Sequence, residues 1–171
     1  MQRILIVGPC GAGKSTLAFD LAERTGLPLY HMDRLNWRPG WTEVGDDALR
    51  EALREIVNGP RWIIEGTYGA TLDVRLERAD TVLYLDYPIP LCVWRVLRRI
   101  VAWRGRSRPD MSDGCPERLD PEFLLYIARW NHGPRQRLEG RLKGHESKIV
   151  TLPTPAAARR WLAAVSGEPE Q

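Results

Sequence analysis

Gly8-Pro9-Cys10-Gly11-Ala12-Gly13-Lys14-Ser15 satisfies the pattern G-x-x-x-x-G-K-[ST] at every fixed position, and Thr16 follows it. Each residue type in that spacing serves one kind of chemistry. Glycines let backbone N–H groups converge on phosphate oxygens without a Cβ in the way. The helix that follows the loop adds the positive end of its dipole, Lys14 reaches β- and γ-phosphates, and the Ser15 hydroxyl is a hard oxygen ligand for Mg2+. The apolar run Ile4–Val7 ahead of the loop supplies the buried strand that this arrangement requires. The expected ligands are therefore ATP and Mg2+, with Gly8, Pro9, Cys10, Gly11, Ala12, Gly13, Lys14, Ser15 and Thr16 around the phosphates.

A second group of residues asks for an explanation. Between positions 95 and 110 six arginines (Arg95, Arg98, Arg99, Arg104, Arg106, Arg108) precede the first acid, Asp110. Such a run clamps the phosphates of a small molecule, grips a nucleic-acid backbone, or faces solvent. The planar guanidinium fork suits bidentate phosphate contacts. The net charge of the 171-residue chain is only +3, well short of the basic excess of many dedicated nucleic-acid binders. A small-molecule acceptor is accordingly the expected partner, with nucleic acid the weaker reading.

The elements that must position these residues alternate between short apolar runs and helical stretches, the pattern of an α/β protein with a parallel sheet. Strands are expected at 3–7, 27–31, 61–65, 81–86 and 148–152. Helices are expected at 15–25, 46–58, 71–78, 88–103, 121–142 (broken near Gly133-Pro134) and 155–165, with loops at 33–43 and 105–119. A content of 43% hydrophobic and 27% charged residues suits one globular domain, placed at 1–166, with a disordered tail at 167–171. Three scattered cysteines offer neither a disulfide framework nor a four-cysteine zinc site. No apolar run approaches a membrane span, and a reduced, cytoplasmic protein is expected, as monomer or dimer.

The segment ADTVLYLDYPIPLCVWRVLRR (79–99) resembles the nucleoside monophosphate kinases, adenylate kinase above all. HMDRLNWRPGW, WIIEGTY and RGRSRPDMSDGCPERLD resemble a group of adenylate kinase-related proteins called topology modulation proteins. The resemblance implies a three-layer P-loop NTPase fold: a five-stranded parallel sheet of order 2-3-1-4-5, helices on both faces, an acceptor-binding flap at about 33–60 and a lid at about 104–120. It implies phosphate-binding roles for Arg95 and Arg99, aided by lid arginines, and for one of Arg129, Arg135 and Arg137, with Arg129 preferred. It also implies that Glu65 holds Mg2+ through water, with Asp86 as a second candidate, and that residues around Thr151–Pro155 contact the base.

The chain departs from adenylate kinase after the third strand. Glu65-Gly66-Thr67-Tyr68-Gly69 lacks the arginine that holds an acceptor phosphate, and Arg75 is either a substitute or a surface residue. In P-loop kinases that phosphorylate a hydroxyl, such as shikimate kinase, an aspartate at the place of Asp33 orients or deprotonates the acceptor. Asp33 otherwise reads as a cap, and His31 as a structural histidine. Trp37 and Trp41 either wall a ring-shaped substrate or pin the flap. The functional expectation is transfer of the γ-phosphoryl of Mg-ATP to a nucleotide or a hydroxyl-bearing metabolite. The alternative is an ATP-binding regulator with little turnover, DNA-associated through its basic helix.

Overall fold

The computed structural model describes residues 1–165, so the tail expected at 167–171 lies outside the described residues. Five strands, β1 (Arg3–Val7), β2 (Leu29–His31), β5 (Trp62–Glu65), β6 (Thr81–Leu85) and β7 (Ile149–Leu152), form one sheet in the order β2-β5-β1-β6-β7. Every neighbouring pair is parallel. Counted along the sheet strands alone this is the expected order 2-3-1-4-5.

Side chains alternate across a strand, so β1 feeds two cores at once. Ile4 and Ile6 pack with Leu17 and Leu21 of α1 (Lys14–Thr25), Val96 and Ile100 of α5 (Ile89–Trp103) and Leu162 of α8 (Pro155–Val165). Leu5 and Val7 share the opposite core with Leu49 and Leu53 of α3 (Asp46–Asn58), Leu76 of α4 (Leu72–Arg78) and Leu138 of α7 (Pro134–Leu142). Burial on both faces explains why the central strands read as continuous apolar runs.

One segment differs from expectation, and another is broken near Gly133-Pro134 as expected. Residues 33–43, expected as loop, contain helix α2 (Met32–Asn36) and an antiparallel hairpin of β3 (Trp37–Arg38) and β4 (Thr42–Glu43). The turn between them places Gly40 at φ 80° and Trp41 at φ 62°. Residues 121–142 form α6 (Pro121–Ala128), a 3-10 turn (Trp130–His132) and α7. The Asp120 carboxylate accepts from the Phe123 N–H at 3.0 Å and caps α6. The 104–120 stretch is a loop whose stem is tied by Gly105 N–H to Glu117 O (3.1 Å) and Glu117 N–H to Arg106 O (2.9 Å).

Candidate active site

The loop joining β1 to α1 is shaped by close backbone approaches. A Cβ on Gly8 would lie 2.4 Å from the Leu85 carbonyl oxygen, and one on Gly11 2.3 Å from that of Cys92. Both residues also have positive φ (141° and 83°), so glycine is required twice over. Gly13 begins α1 without a side-chain cap, which leaves the helix's first N–H groups directed at whatever the loop holds. Lys14 Nζ donates to the carbonyls of Gly8 (3.1 Å) and Pro9 (2.9 Å), folding back over the loop. Thr67, which carried no signal in the sequence, clasps Gly8 from the strap after β5: its hydroxyl donates to Gly8 O at 2.7 Å and accepts from Gly8 N–H at 3.1 Å.

Ser15 stands at the start of α1 and donates to Glu65 Oε1 at 3.2 Å. The same oxygen lies 2.8 Å from His31 Nδ1, at the end of the adjacent strand β2. Glu65 is buried, so its carboxylate is held in place from two sides. A hydroxyl and a carboxylate are the hard oxygen donors that Mg2+ accepts, with nucleotide phosphates and water filling the remaining positions. Asp86 is engaged elsewhere. Its carboxylate accepts from Arg135 Nη2 at 2.7 Å, and it does not line the cleft.

A further part of the cleft is built on α2 and the strap after β5. Asp33 Oδ1 accepts from the Tyr68 hydroxyl at 2.7 Å, and Trp37 Nε1 donates to that same hydroxyl at 3.1 Å. About a third of the Asp33 side chain is open to the cleft, with protein on its other sides. Burial, then the nearby charge of Glu65, push its pKa above the ordinary aspartate value; the Tyr68 hydrogen bond, Arg108 and Lys14 pull the other way without cancelling the rise. Trp37 and Trp41 meet edge to face at 5.4 Å, and the Arg118 guanidinium lies 5.4 Å from the Trp41 ring centre.

Arg75 is neither a surface residue nor an acceptor ligand. It is fully buried and donates to the carbonyls of Gly66 (2.5 Å), Thr67 (2.9 Å) and Tyr68 (2.9 Å). Burial lowers its pKa to about 9. One guanidinium thereby shapes the strap that presents Tyr68, itself at φ 30°.

The arginine run divides in two. Arg95, Arg99 and Arg108 line a single cleft of about 1470 Å³ together with the phosphate loop, Asp33 and Tyr68. Arg98, Arg104 and Arg106 are exposed, with Arg98 stacked on Trp94 at 4.8 Å. Arg95 donates to Ala12 O at 3.1 Å, and Arg99 reaches Glu117 Oε1 at 3.0 Å. Arg108 meets Glu117 and Asp110 at 2.7 Å each and Asp33 at 3.7 Å. Arg129, Arg135 and Arg137 do not line the cleft, and Arg135 is paired with Asp86 and Glu139. The cleft is also lined by Phe123, Tyr126, Pro155, Ala158 and Leu162, apolar surface suited to a flat base.

Sheet order, loop geometry and cleft define a P-loop phosphotransferase of the nucleotide-kinase superfamily. Comparison with known proteins points the same way. The chain is 28% identical over 143 residues to a shikimate kinase of Baumannia cicadellinicola, covering 75% of this chain and 78% of that protein. It is also 28% identical over 138 residues to shikimate kinase 1 of Citrobacter koseri, covering 72% and 76%. In fold it is similar to a shikimate kinase from Acinetobacter baumannii in complex with shikimate. That likeness has a TM-score of 0.65 at 19% identity, over 96% of this chain and 90% of that one. The shikimate kinase from Bacteroides thetaiotaomicron gives a TM-score of 0.55 at 19% identity, over 96% of each chain. No family model matches the chain. Among the described residues no helix is long and apolar enough to cross a membrane.

Proposed function

We propose that the protein transfers the γ-phosphoryl group of Mg-ATP to a hydroxyl of a small metabolite. The observation that carries this reading is Asp33, a carboxylate with a raised pKa held by Tyr68 in the same cleft as the phosphate loop. A carboxylate whose pKa is raised toward the working pH is a better proton acceptor for an attacking hydroxyl than an ordinary aspartate. The hydroxyl-phosphorylating relatives support a hydroxyl acceptor over a nucleotide one. So does Arg75, whose donors are spent on backbone carbonyls and are not offered to an acceptor phosphate.

In this reading Lys14 and the loop amides hold the triphosphate, and Ser15 with Glu65 holds Mg2+, which neutralises phosphate charge when bound. Arg95 and Arg99 take the phosphoryl oxygens together with Arg108, since such transfer depends on positioning and charge stabilisation. The 33–60 segment is the flap that receives the acceptor. The 104–120 segment is the lid, which keeps water from competing for the phosphoryl group. The aromatic surface of Trp37, Trp41 and Tyr68 favours an acceptor with a ring. The resemblance to topology modulation proteins contributes a name and no further chemistry. A DNA-associated regulator would have Arg98, Arg104 and Arg106 for backbone contacts, and binding of that kind falls steeply with salt.

The test is ADP release from Mg-ATP across shikimate, other ring-bearing hydroxyl metabolites, nucleosides and nucleoside monophosphates, with Lys14→Ala as control. A Lys14-dependent signal with a hydroxyl acceptor is the expected result. A signal confined to monophosphates, or ADP release that no acceptor stimulates, overturns the reading.

A further inference from the structure

Glu117 belongs to neither the phosphate loop nor the acceptor side, yet it is 7% exposed and both its carboxylate oxygens are taken. Oε1 accepts from Arg99 Nη2 at 3.0 Å, and Oε2 from Arg108 Nε at 2.7 Å. Its backbone is fixed as well, since its N–H and C=O close the stem of the lid against Arg106 and Gly105. The two arginines come from different structures: Arg99 projects from α5, and Arg108 from the lid itself. Among the described residues Glu117 is the one bonded to both.

Two guanidinium groups brought to one place repel unless an anion lies between them. Before nucleotide binds, no phosphate is there to do so. A solvated surface acid could not hold such a pair, because exposed ion pairs are weak and mobile. A buried acid with both oxygens engaged can, and removing its charge takes from Arg99 its carboxylate partner and leaves Arg108 paired with Asp110 but no longer tied to Arg99. Glu117 uses only one donor of each arginine. Arg99 Nε is buried with no hydrogen-bond partner among the described residues, and Arg108 Nη2 stands 3.7 Å from Asp33. Donors thus remain for a phosphoryl group arriving between the phosphate loop and Asp33.

We propose that Glu117 is a positioning residue that holds Arg99 of α5 and Arg108 of the lid as a converged pair, so that both meet the γ-phosphate together. This rests on the kinase reading above, in which those arginines take the phosphoryl oxygens. The residue acts through the arginines and does not itself touch substrate.

The test compares ATP and ADP affinity by titration calorimetry in Mg2+ buffer, which needs no acceptor. It uses the wild-type chain, Glu117→Gln, Arg99→Ala and the Arg99→Ala/Glu117→Gln double variant. Wild type should prefer ATP, because the pair reads the γ-phosphate. Glu117→Gln should lower the ATP-to-ADP preference about tenfold while ADP affinity moves less than about threefold. In the Arg99→Ala background the same substitution should cost much less, the non-additivity expected of groups that act as a unit. Should the amide variant fail to fold, Glu117→Asp carries the test: its shorter reach keeps the charge but should still cut the preference about threefold.

An unchanged preference in a folded variant overturns the proposal, whether or not the melting temperature falls, since a merely structural role lowers stability alone. Tighter ATP binding in Glu117→Gln also overturns it, by making Glu117 a competitor of phosphate. A wild-type chain that binds neither nucleotide removes the kinase reading, and this proposal with it. Loss of preference only in the variant separates the two.

Discussion

An ionised carboxylate at Asp33 is opposed by burial and by the charge of Glu65, and the Tyr68 hydrogen bond only partly offsets this. The consequences for activity and for stability have opposite signs. A folded pKa above the unfolded one means that the native state binds the extra proton. Stability is then full below the unfolded value and falls as pH rises through the folded one. At neutral pH the charge is a cost to the fold. Asp33→Asn keeps an oxygen for Tyr68 to donate to and should raise the melting temperature at pH 7 while leaving it nearly unchanged at pH 3. The same variant should lose about a hundredfold or more in kcat, the scale of a lost general base. Thermal melts at the two pH values and steady-state rates check both halves, and a lower melting temperature at pH 7 would contradict the sign. Tyr68→Phe removes the contact that pulls the Asp33 pKa down. The acid limb of kcat/KM, already displaced above the ordinary aspartate range, should therefore move to still higher pH. A limb that stays put or moves down would mean that Asp33 is not the group titrating.

At the scale of elements, residues 34–41 and 112–116, the flap and lid of the proposed reading, are latched to each other. Gly40 N–H donates to Gly114 O (2.8 Å), Ser112 Oγ to Arg34 O (3.0 Å), Cys115 Sγ to Arg38 O (3.0 Å) and Trp41 Nε1 to Pro116 O (3.2 Å). All four bonds accept at backbone carbonyls, so they depend on chain shape. Little of this was legible in the sequence. A five-residue helix and two-residue strands are too short to set a period, so 33–43 read as loop. Nothing in the local sequence marks Cys115 or Glu117, since Arg38 and Arg99, which they meet, lie on other segments. Arg75 was misread for a related reason: what buries a guanidinium is three carbonyls of a strap whose shape the sequence does not mark. By contrast α3 and α8 fall at the expected residues, since apolar spacing and the Gly59-Pro60 stop declare them. The latch gives a prediction. Gly114 has φ 76°, and a Cβ there would stand 2.8 Å from the Pro39 Cβ. Gly114→Ala should loosen the latch, raise the acceptor KM several-fold and speed proteolysis within 104–118, with the melting temperature little changed. Unaltered proteolysis with an unaltered KM would mean the two segments work independently.

For the whole molecule, the strands that carry the phosphate loop, Glu65 and His31 are neighbours in the order β2-β5-β1. Parallel register sets Ile6 beside Glu65 and His31 beside Glu65, which brings the carboxyl ends of all three strands to one edge. That edge is where open α/β sheets bind ligands. This was the readable part of the site, because a buried parallel strand and a glycine-rich loop both leave local marks. A ligand held at this edge touches the loop, α1, α5 and the lid, so its binding energy should stabilise the domain as a unit. At a concentration of about 100 Kd the gain is about 2.7 kcal/mol, equivalent to a rise of about 5–10 °C for a domain of this size. Mg-ATP should produce such a rise in the wild-type chain. On the proposed reading EDTA should diminish it without abolishing it, since Lys14 and the loop amides would hold phosphate directly while Ser15 and Glu65 would act through the metal. Lys14→Ala should remove most of it in either buffer. A full shift in Lys14→Ala would place the nucleotide outside the phosphate loop and undo the assignment of the cleft. A shift that survives EDTA undiminished would instead detach the metal from Ser15 and Glu65.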